Sequence, residues 1–162
     1  MMEGKMDYTI RQIDESEYPL LNDFLYEAIF IPDGVTPPPK SIINSPELQV
    51  YVKGFGEQPH DTALVAEAEG KVVGAVWVRV MNDYGHIDDD TPSFAISLYK
   101  EYRGFGIGTA LMSAMLDVLK ENGYKRASLA VQKENYALKL YLKAGFEIIG
   151  ENKEEYIMLI RL

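Results

Sequence analysis

The sequence predicts an α/β (α+β) domain of about seven strands and about four helices. Two observations carry the elements. Seven short segments alternate apolar and polar residues or run apolar without a break, and four others repeat apolar residues at three- and four-residue spacing. A third observation concerns the order of the elements. Only the third helix stands in a strict strand–helix–strand alternation, so the elements do not follow a repeating α/β order.

Residues 6–13 read as a first strand, with Tyr8 and Ile10 alternating. Asp14 followed by Glu17 resembles a capping box. Tyr18, Leu21, Leu25, Ala28 and Ile29 then carry a helix to Phe30, with Pro19 tolerated in its first turn. Residues 31–44 hold Pro32, Gly34 and the run Pro37-Pro38-Pro39, a break long enough to act as a lid or a plain surface crossing. Ser45-Pro46 reads as N-cap and N1 of a helix running through Leu48, Tyr51, Val52 and Phe55, ended by Gly54 and Gly56.

Residues 62–68 and 71–81 are two strands joined by the turn Glu69-Gly70. The second is apolar at nearly every position, which places it centrally, covered on both faces. Residues 82–90 form a polar loop, and 92–99 a fourth strand with Phe94, Ile96 and Leu98 on one face. Ile107, Ala110, Leu111, Ala114, Met115, Val118 and Leu119 trace one buried helical stripe, stopped by Asn122-Gly123. A fifth strand over 126–131, a short helix over 136–144 and closing strands over 146–150 and 156–162 complete the chain. With no repeat or composition break in 162 residues, a single domain over 1–162 is expected.

Composition narrows the chemistry. The chain has no cysteine, which removes disulfides, thiolate metal sites and a cysteine acyl-enzyme. Two histidines, His60 and His86, exclude a three-histidine zinc site. A net charge of −9 argues against nucleic acid as partner and is compatible with a cationic one. Residues 1–8 lack an apolar signal core, and the longest apolar run, 72–78, is too short to span a bilayer, so a cytoplasmic protein without membrane contact is expected.

The informative segment is Tyr102-Arg103-Gly104-Phe105-Gly106-Ile107-Gly108-Thr109, set between a strand and the most periodic helix. Glycines at alternate positions let backbone approach a ligand. The helix start offers unpaired N–H groups and a positive dipole end, and Arg103 adds a cation. A P-loop is excluded because Gly108 is followed by Thr109 and Ala110, with no lysine. A dinucleotide fingerprint fails because its third glycine is Thr109 or Leu111, depending on the start.

What remains is R-x-x-G-x-G, from Arg103 through Gly106 to Gly108. Here the sequence resembles the GNAT N-acetyltransferase superfamily. The stretch from Asn135 through Ala137, Leu140 and Tyr141 to Gly145-Phe146 resembles a second motif of that family. The resemblance spans most of the chain and is strongest over 62–146. It implies a central mixed, mostly antiparallel sheet of about seven strands, splayed at strands four and five and flanked by about four helices. It also implies acetyl-CoA as cosubstrate, with no metal. Its diphosphate falls to the loop residues Arg103, Gly104, Phe105, Gly106, Ile107, Gly108 and Thr109. Its pantetheine arm falls to Ile96, Ser97, Leu98 and Asn135. Tyr141 falls beside the thioester sulfur as the acid for the departing thiolate.

The activity implied is transfer of acetyl to a primary amine in a small molecule, at a peptide end or on a lysine. The alternatives are a coenzyme A-binding sensor without turnover and, less well supported, a dinucleotide oxidoreductase. The fourth strand lacks the carboxylate that many family members use as base, leaving Glu27, Asp83, Asp88 or His86 acting through water. Tyr26, Arg79, Tyr84 and Trp77 are candidates for the acceptor side, with Trp77 also expected in the core. Asp83, Asp88, Asp89 and Asp90 in the 82–90 loop are expected to attract a cationic amine. The closing strands are candidates for pairing across a homodimer.

Overall fold

The computed structural model describes residues 6–83 and 86–162. One seven-stranded sheet runs in the order β1-β2-β3-β4-β5-β7-β6. Its strands are β1 (Thr9–Gln12), β2 (Thr62–Ala68), β3 (Lys71–Arg79), β4 (Ser93–Leu98), β5 (Arg126–Gln132), β6 (Glu147–Glu151) and β7 (Glu155–Arg161). The helices are α1 (Leu20–Glu27), α2 (Pro46–Gln49), α3 (Ile107–Glu121) and α4 (Leu138–Ala144). Every neighbouring pair is antiparallel except β4 and β5, which are parallel and meet at a single register pair, Ser93 with Ser128. The sheet is mixed and open between its fourth and fifth strands.

β3 is buried along nearly its whole length because both faces are covered. Val73, Val76 and Val78 pack with Leu111, Met115 and Leu119 of α3. Ala75 and Trp77 pack on the other face with Leu21, Phe24 and Leu25 of α1. The β2–β3 turn uses left-handed backbone at Glu69 (φ 53°) and Gly70 (φ 79°), matching the twist of a two-residue hairpin.

α1 starts later than the periodicity suggests. The capping-box pair Asp14 and Glu17 opens a separate 3₁₀ turn, Glu15–Glu17, and Pro19 takes the N-cap position of α1. A helix running straight through would need an N–H on Pro19, which proline lacks. The second helix is shorter still, four residues instead of ten. The carbonyls that would carry it onward are taken by the sheet. Arg79 Nη1 donates to Val50 O (3.2 Å) and Lys53 O (2.9 Å), and Trp77 Nε1 donates to Tyr51 O (3.0 Å). The Pro-rich break also contains a 3₁₀ turn, Lys40–Asn44.

These contacts move Arg79 and Trp77 off the acceptor side. Arg79 is buried in an ion pair with Asp61 (3.0 Å), and Trp77 is fully buried in the core.

Candidate active site

The open edge of β4 is the centre of the site. Tyr99 N–H donates to Val73 O (3.0 Å), so the odd-numbered residues of β4 turn their backbone groups toward β3. The even-numbered residues face the opposite edge. Ser128 N–H reaches Pro92 O there (3.0 Å), and β5 then diverges. Beyond that pair, the Ile96 backbone groups and the Leu98 N–H face a gap without a neighbouring strand, while Leu98 O accepts from Arg103 Nε (3.1 Å). An unpaired strand backbone is costly unless water or a ligand satisfies it.

A cavity of about 700 Å³ occupies this gap. Its walls are Ile96, Ser97 and Leu98 of β4, Gly108 of α3, Asn135, Leu140 and Tyr141 around α4, and the segment after α1. Of the residues singled out by sequence, Ile96, Ser97, Leu98, Arg103, Gly108, Asn135 and Tyr141 share this cavity. Ser97 spends its hydroxyl on Phe24 O (2.6 Å), tying α1 to β4.

The glycine loop lies at the start of α3. Gly106 holds the N-cap position in the left-handed region (φ 85°), and Gly104 is also left-handed (φ 84°). The first intrahelical bond runs from Ala110 N–H to Gly106 O (3.1 Å), leaving the N–H groups of Ile107, Gly108 and Thr109 without helical partners. No acidic side chain stands in the first turn of this 15-residue helix, so its positive end is uncompensated there. Ile107 is fully buried and Phe105 packs on the same core. Those two side chains anchor the loop to the core, and at the fully buried Ile107 only the backbone can meet a ligand.

Asn135 caps the turn into α4, its Oδ1 accepting from Ala137 N–H (2.9 Å). Tyr141 is buried, its ring edge-on to Phe146. Burial pushes its phenol well above the ordinary value of 10, and Tyr136 adds to the shift. The group is therefore neutral, and a donor, across the physiological range. Arg103 turns inward. Its Nε donates to Leu98 O (3.1 Å), its Nη1 to Tyr136 Oη (3.3 Å) and its Nη2 to Glu27 O (3.3 Å), with the Glu27 carboxylate 3.6 Å away.

Among the carboxylates and histidine considered as bases, only Glu27 lines this cavity. Asp83 accepts from Tyr51 Oη and Ser93 Oγ, both at 3.2 Å, at the other end of β4. His86 Nδ1 lies 2.9 Å from Met81 O. Asp88 pairs with Arg126 and takes bonds from Thr91 Oγ1 and Asp90 N–H, which hold its carboxyl below the usual range. Asp88 and Asp90 border a separate cavity of about 500 Å³. Asp83 thus adjoins the first residue of β4, whereas the main cavity follows its last three. The acidic groups on the main cavity are Glu27, Asp33 and Glu101 instead. Tyr26 also lines it, donating to Pro38 O (2.6 Å). Tyr84 lies outside the described residues.

Sequence reasoning missed two contributors. Leu140 lines the cavity opposite Leu98, and Gly74 of β3 makes room for the Leu98 side chain. In the sequence Gly74 falls within the apolar run 72–78 and signals no role of its own.

The fold is a splayed α/β sheet with a glycine loop feeding a helix beside an open strand edge. Residues 22–146 match the model of the acetyltransferase (GNAT) family, and the chain belongs to that family. It is 31% identical over 103 residues to a putative ribosomal protein bS18-alanine N-acetyltransferase of Bacillus subtilis, covering 62% of this chain and 63% of that one. The matches to the next relatives, a probable N-acetyltransferase camello of Xenopus tropicalis and a mycothiol acetyltransferase of Clavibacter sepedonicus, span 37% and 27% of those proteins. The fold is shared with the PaiA N-acetyltransferase of Thermoplasma acidophilum, solved in complex with coenzyme A, at a TM-score of 0.71 and 19% identity over 97% of this chain and 100% of that one. Among the described residues no helix is long and apolar enough to cross a membrane.

Proposed function

We propose that the protein is an acetyl-CoA-dependent N-acetyltransferase that transfers acetyl directly to a primary amine. The observation that carries this reading is the juxtaposition in one cavity of the open β4 edge, the α3 start and a neutral buried tyrosine. The residues present fit the cosubstrate. A long, thin, amide-bearing arm ending in a diphosphate needs a slot with free backbone groups and an anion site at one end. The Ile96 backbone would pair with the arm and the Leu98 N–H with a carbonyl oxygen at its acyl-bearing end, the N–H groups of Ile107, Gly108 and Thr109 would hold the diphosphate, and Asn135 would border the arm.

The cosubstrate supplies an activated acetyl thioester. The protein supplies position and proton control. The Leu98 N–H, aimed into the gap, is a donor for a carbonyl oxygen gaining charge. The Tyr141 hydroxyl is a donor for a departing thiolate, and its raised pKa keeps that proton in place at neutral pH. β4 carries no carboxylate, so the amine must arrive neutral or lose its proton through water to Glu27. The relatives named as N-acetyltransferases support an amine acceptor, whether a small molecule, a peptide N-terminus or a lysine.

A coenzyme A-binding sensor without turnover is the second reading, favoured by the engagement of Glu27 with Arg103. The discriminating experiment measures free-thiol release from acetyl-CoA over a panel of amines, beside the melting temperature with acetyl-CoA and with NADH. Stabilisation by acetyl-CoA alone together with amine-dependent thiol release fits the enzyme. Stabilisation without release across the panel fits the sensor, and stabilisation by NADH alone overturns both.

A further inference from the structure

Arg103 is one of two cations, with Lys100, on the wall of the cavity that the proposed diphosphate must approach, and it is not idle there. Its three nitrogens reach four oxygens drawn from three parts of the chain: Leu98 O at the end of β4, Glu27 O and the Glu27 carboxylate at the end of α1, and Tyr136 Oη before α4. Three of those oxygens are neutral. Glu27 is the only one that carries charge. The guanidinium would therefore stay seated by its neutral partners if the carboxylate were removed, and its charge would then be unopposed.

The Glu27 contact is also the loosest of the set. At 3.6 Å it is longer than a charge-assisted hydrogen bond of about 2.7–2.9 Å. The two side chains remain 31% and 22% exposed, so solvent and solutes can reach the pair. The neighbouring anion element, the α3 N-terminus, has no acidic side chain in its first turn to oppose a phosphate. The opposition to an incoming anion at Arg103 itself thus comes from an α1 residue 76 positions earlier, while Asp33 and Glu101 line the same cavity without an ion pair to Arg103 among the described residues.

We propose that Glu27 is a built-in competitor of the cosubstrate diphosphate for Arg103, and so a positioning residue that sets which anions the cavity accepts. The inference rests on the proposed function. A ligand bearing one negative charge gains little by displacing a carboxylate already in place. A diphosphate brings more charge than the carboxylate it displaces, and it also meets the α3 N–H groups. Glu27 therefore offsets the charge of a cation that its neutral partners hold in place while the cavity is free, and yields it to a polyanion.

The test is calorimetric binding of coenzyme A to the full chain, wild type and Glu27→Gln, repeated in an Arg103→Gln background (Arg103→Met if that variant does not fold). Melting temperatures of the unliganded variants report folding. Glu27→Gln is expected to tighten coenzyme A about three- to fivefold, the scale of a half-exposed ion pair. The gain is expected to vanish in the Arg103 variant, because Glu27 acts through that side chain. A purely structural Glu27 would weaken binding or leave it unchanged, and either result overturns the proposal. So does an equal gain with and without Arg103, which would mean diffuse charge instead of a specific exchange. A wild-type protein that binds no coenzyme A overturns the proposed function and takes this inference with it. Binding by the wild type with no gain in Glu27→Gln overturns the inference alone.

Discussion

Leu98 lies so close over Gly74 that a methyl group on the glycine would stand 2.1 Å from Leu98 Cδ2. The two residues are register partners across β3 and β4. Leu98 also approaches the Cβ position of Gly108 in α3, at 3.7 Å. One leucine therefore spans from the central strand to the helix start and shapes the floor of the cavity between them. Gly74→Ala must push that side chain or its strand outward. It is expected to lower coenzyme A affinity by tenfold or more while costing about 1–3 kcal/mol in stability, typical of overpacking. Calorimetric titration beside denaturant unfolding checks both numbers, and unchanged affinity would show that the floor tolerates movement.

Gly108 separates binding from folding more cleanly. Its φ is ordinary, and an added methyl would meet only Leu98 Cδ1 and Leu140 Cδ2, at 3.7 and 3.9 Å. Alanine is also favoured over glycine in a helix by up to about 1 kcal/mol. Gly108→Ala is thus expected to melt at or above the wild-type temperature and to bind coenzyme A at least tenfold more weakly, since the methyl narrows the slot. Gly106 offers no such separation, because its positive φ strains any side chain placed there.

Tyr141→Phe is expected to lower kcat at least tenfold and leave coenzyme A affinity nearly unchanged, since the hydroxyl acts in the transition state. The pH profile follows from the direction of the shift. A phenol raised above 10 is protonated at pH 6–9, so Tyr141 imposes no alkaline decline in that window. Activity should instead climb with pH as the acceptor amine becomes neutral. A decline between pH 7 and 9 that disappears in Tyr141→Phe would contradict the assignment.

The Arg79–Asp61 pair pins the segment after α2 to the sheet, with side chains 2% and 0% exposed. Asp61 also accepts from the N–H groups of Gly56 (2.9 Å) and Gln58 (3.3 Å). Asp61→Asn leaves a buried guanidinium without its counter-charge and is expected to cost about 3–5 kcal/mol, measured by urea unfolding. A loss below 1 kcal/mol would mean that the carbonyls of Val50 and Lys53 hold Arg79 unaided.

What sequence conveys here follows the range of the forces involved. The seven strands, α3 and the glycine loop were legible because periodicity, turn residues and helix starts are local. Tyr141 was legible through the spacing to Gly145 and Phe146, whose ring it meets. The broken second helix was not, because the partners of its carbonyls, Trp77 and Arg79, lie on a strand 26 or more residues away. The acidic 82–90 loop misled for the same reason. Its charges were visible, but the pairing of Asp88 with Arg126 and the side of β4 it occupies are tertiary. Arg103 was read as a cation open to phosphate, and its partner Glu27 could be found only by folding α1 against the end of β4.

The central claim is that the cosubstrate arm lies along the open edge of β4, and amide hydrogen exchange measured residue by residue tests it most directly. With saturating coenzyme A, the N–H groups of Ile96 and Leu98 are expected to exchange at least tenfold more slowly. Ser97, whose N–H already faces β3, should change little, and NADH should leave all three as they were. Binding of coenzyme A with Ile96 and Leu98 exchanging at their unliganded rates would contradict the account.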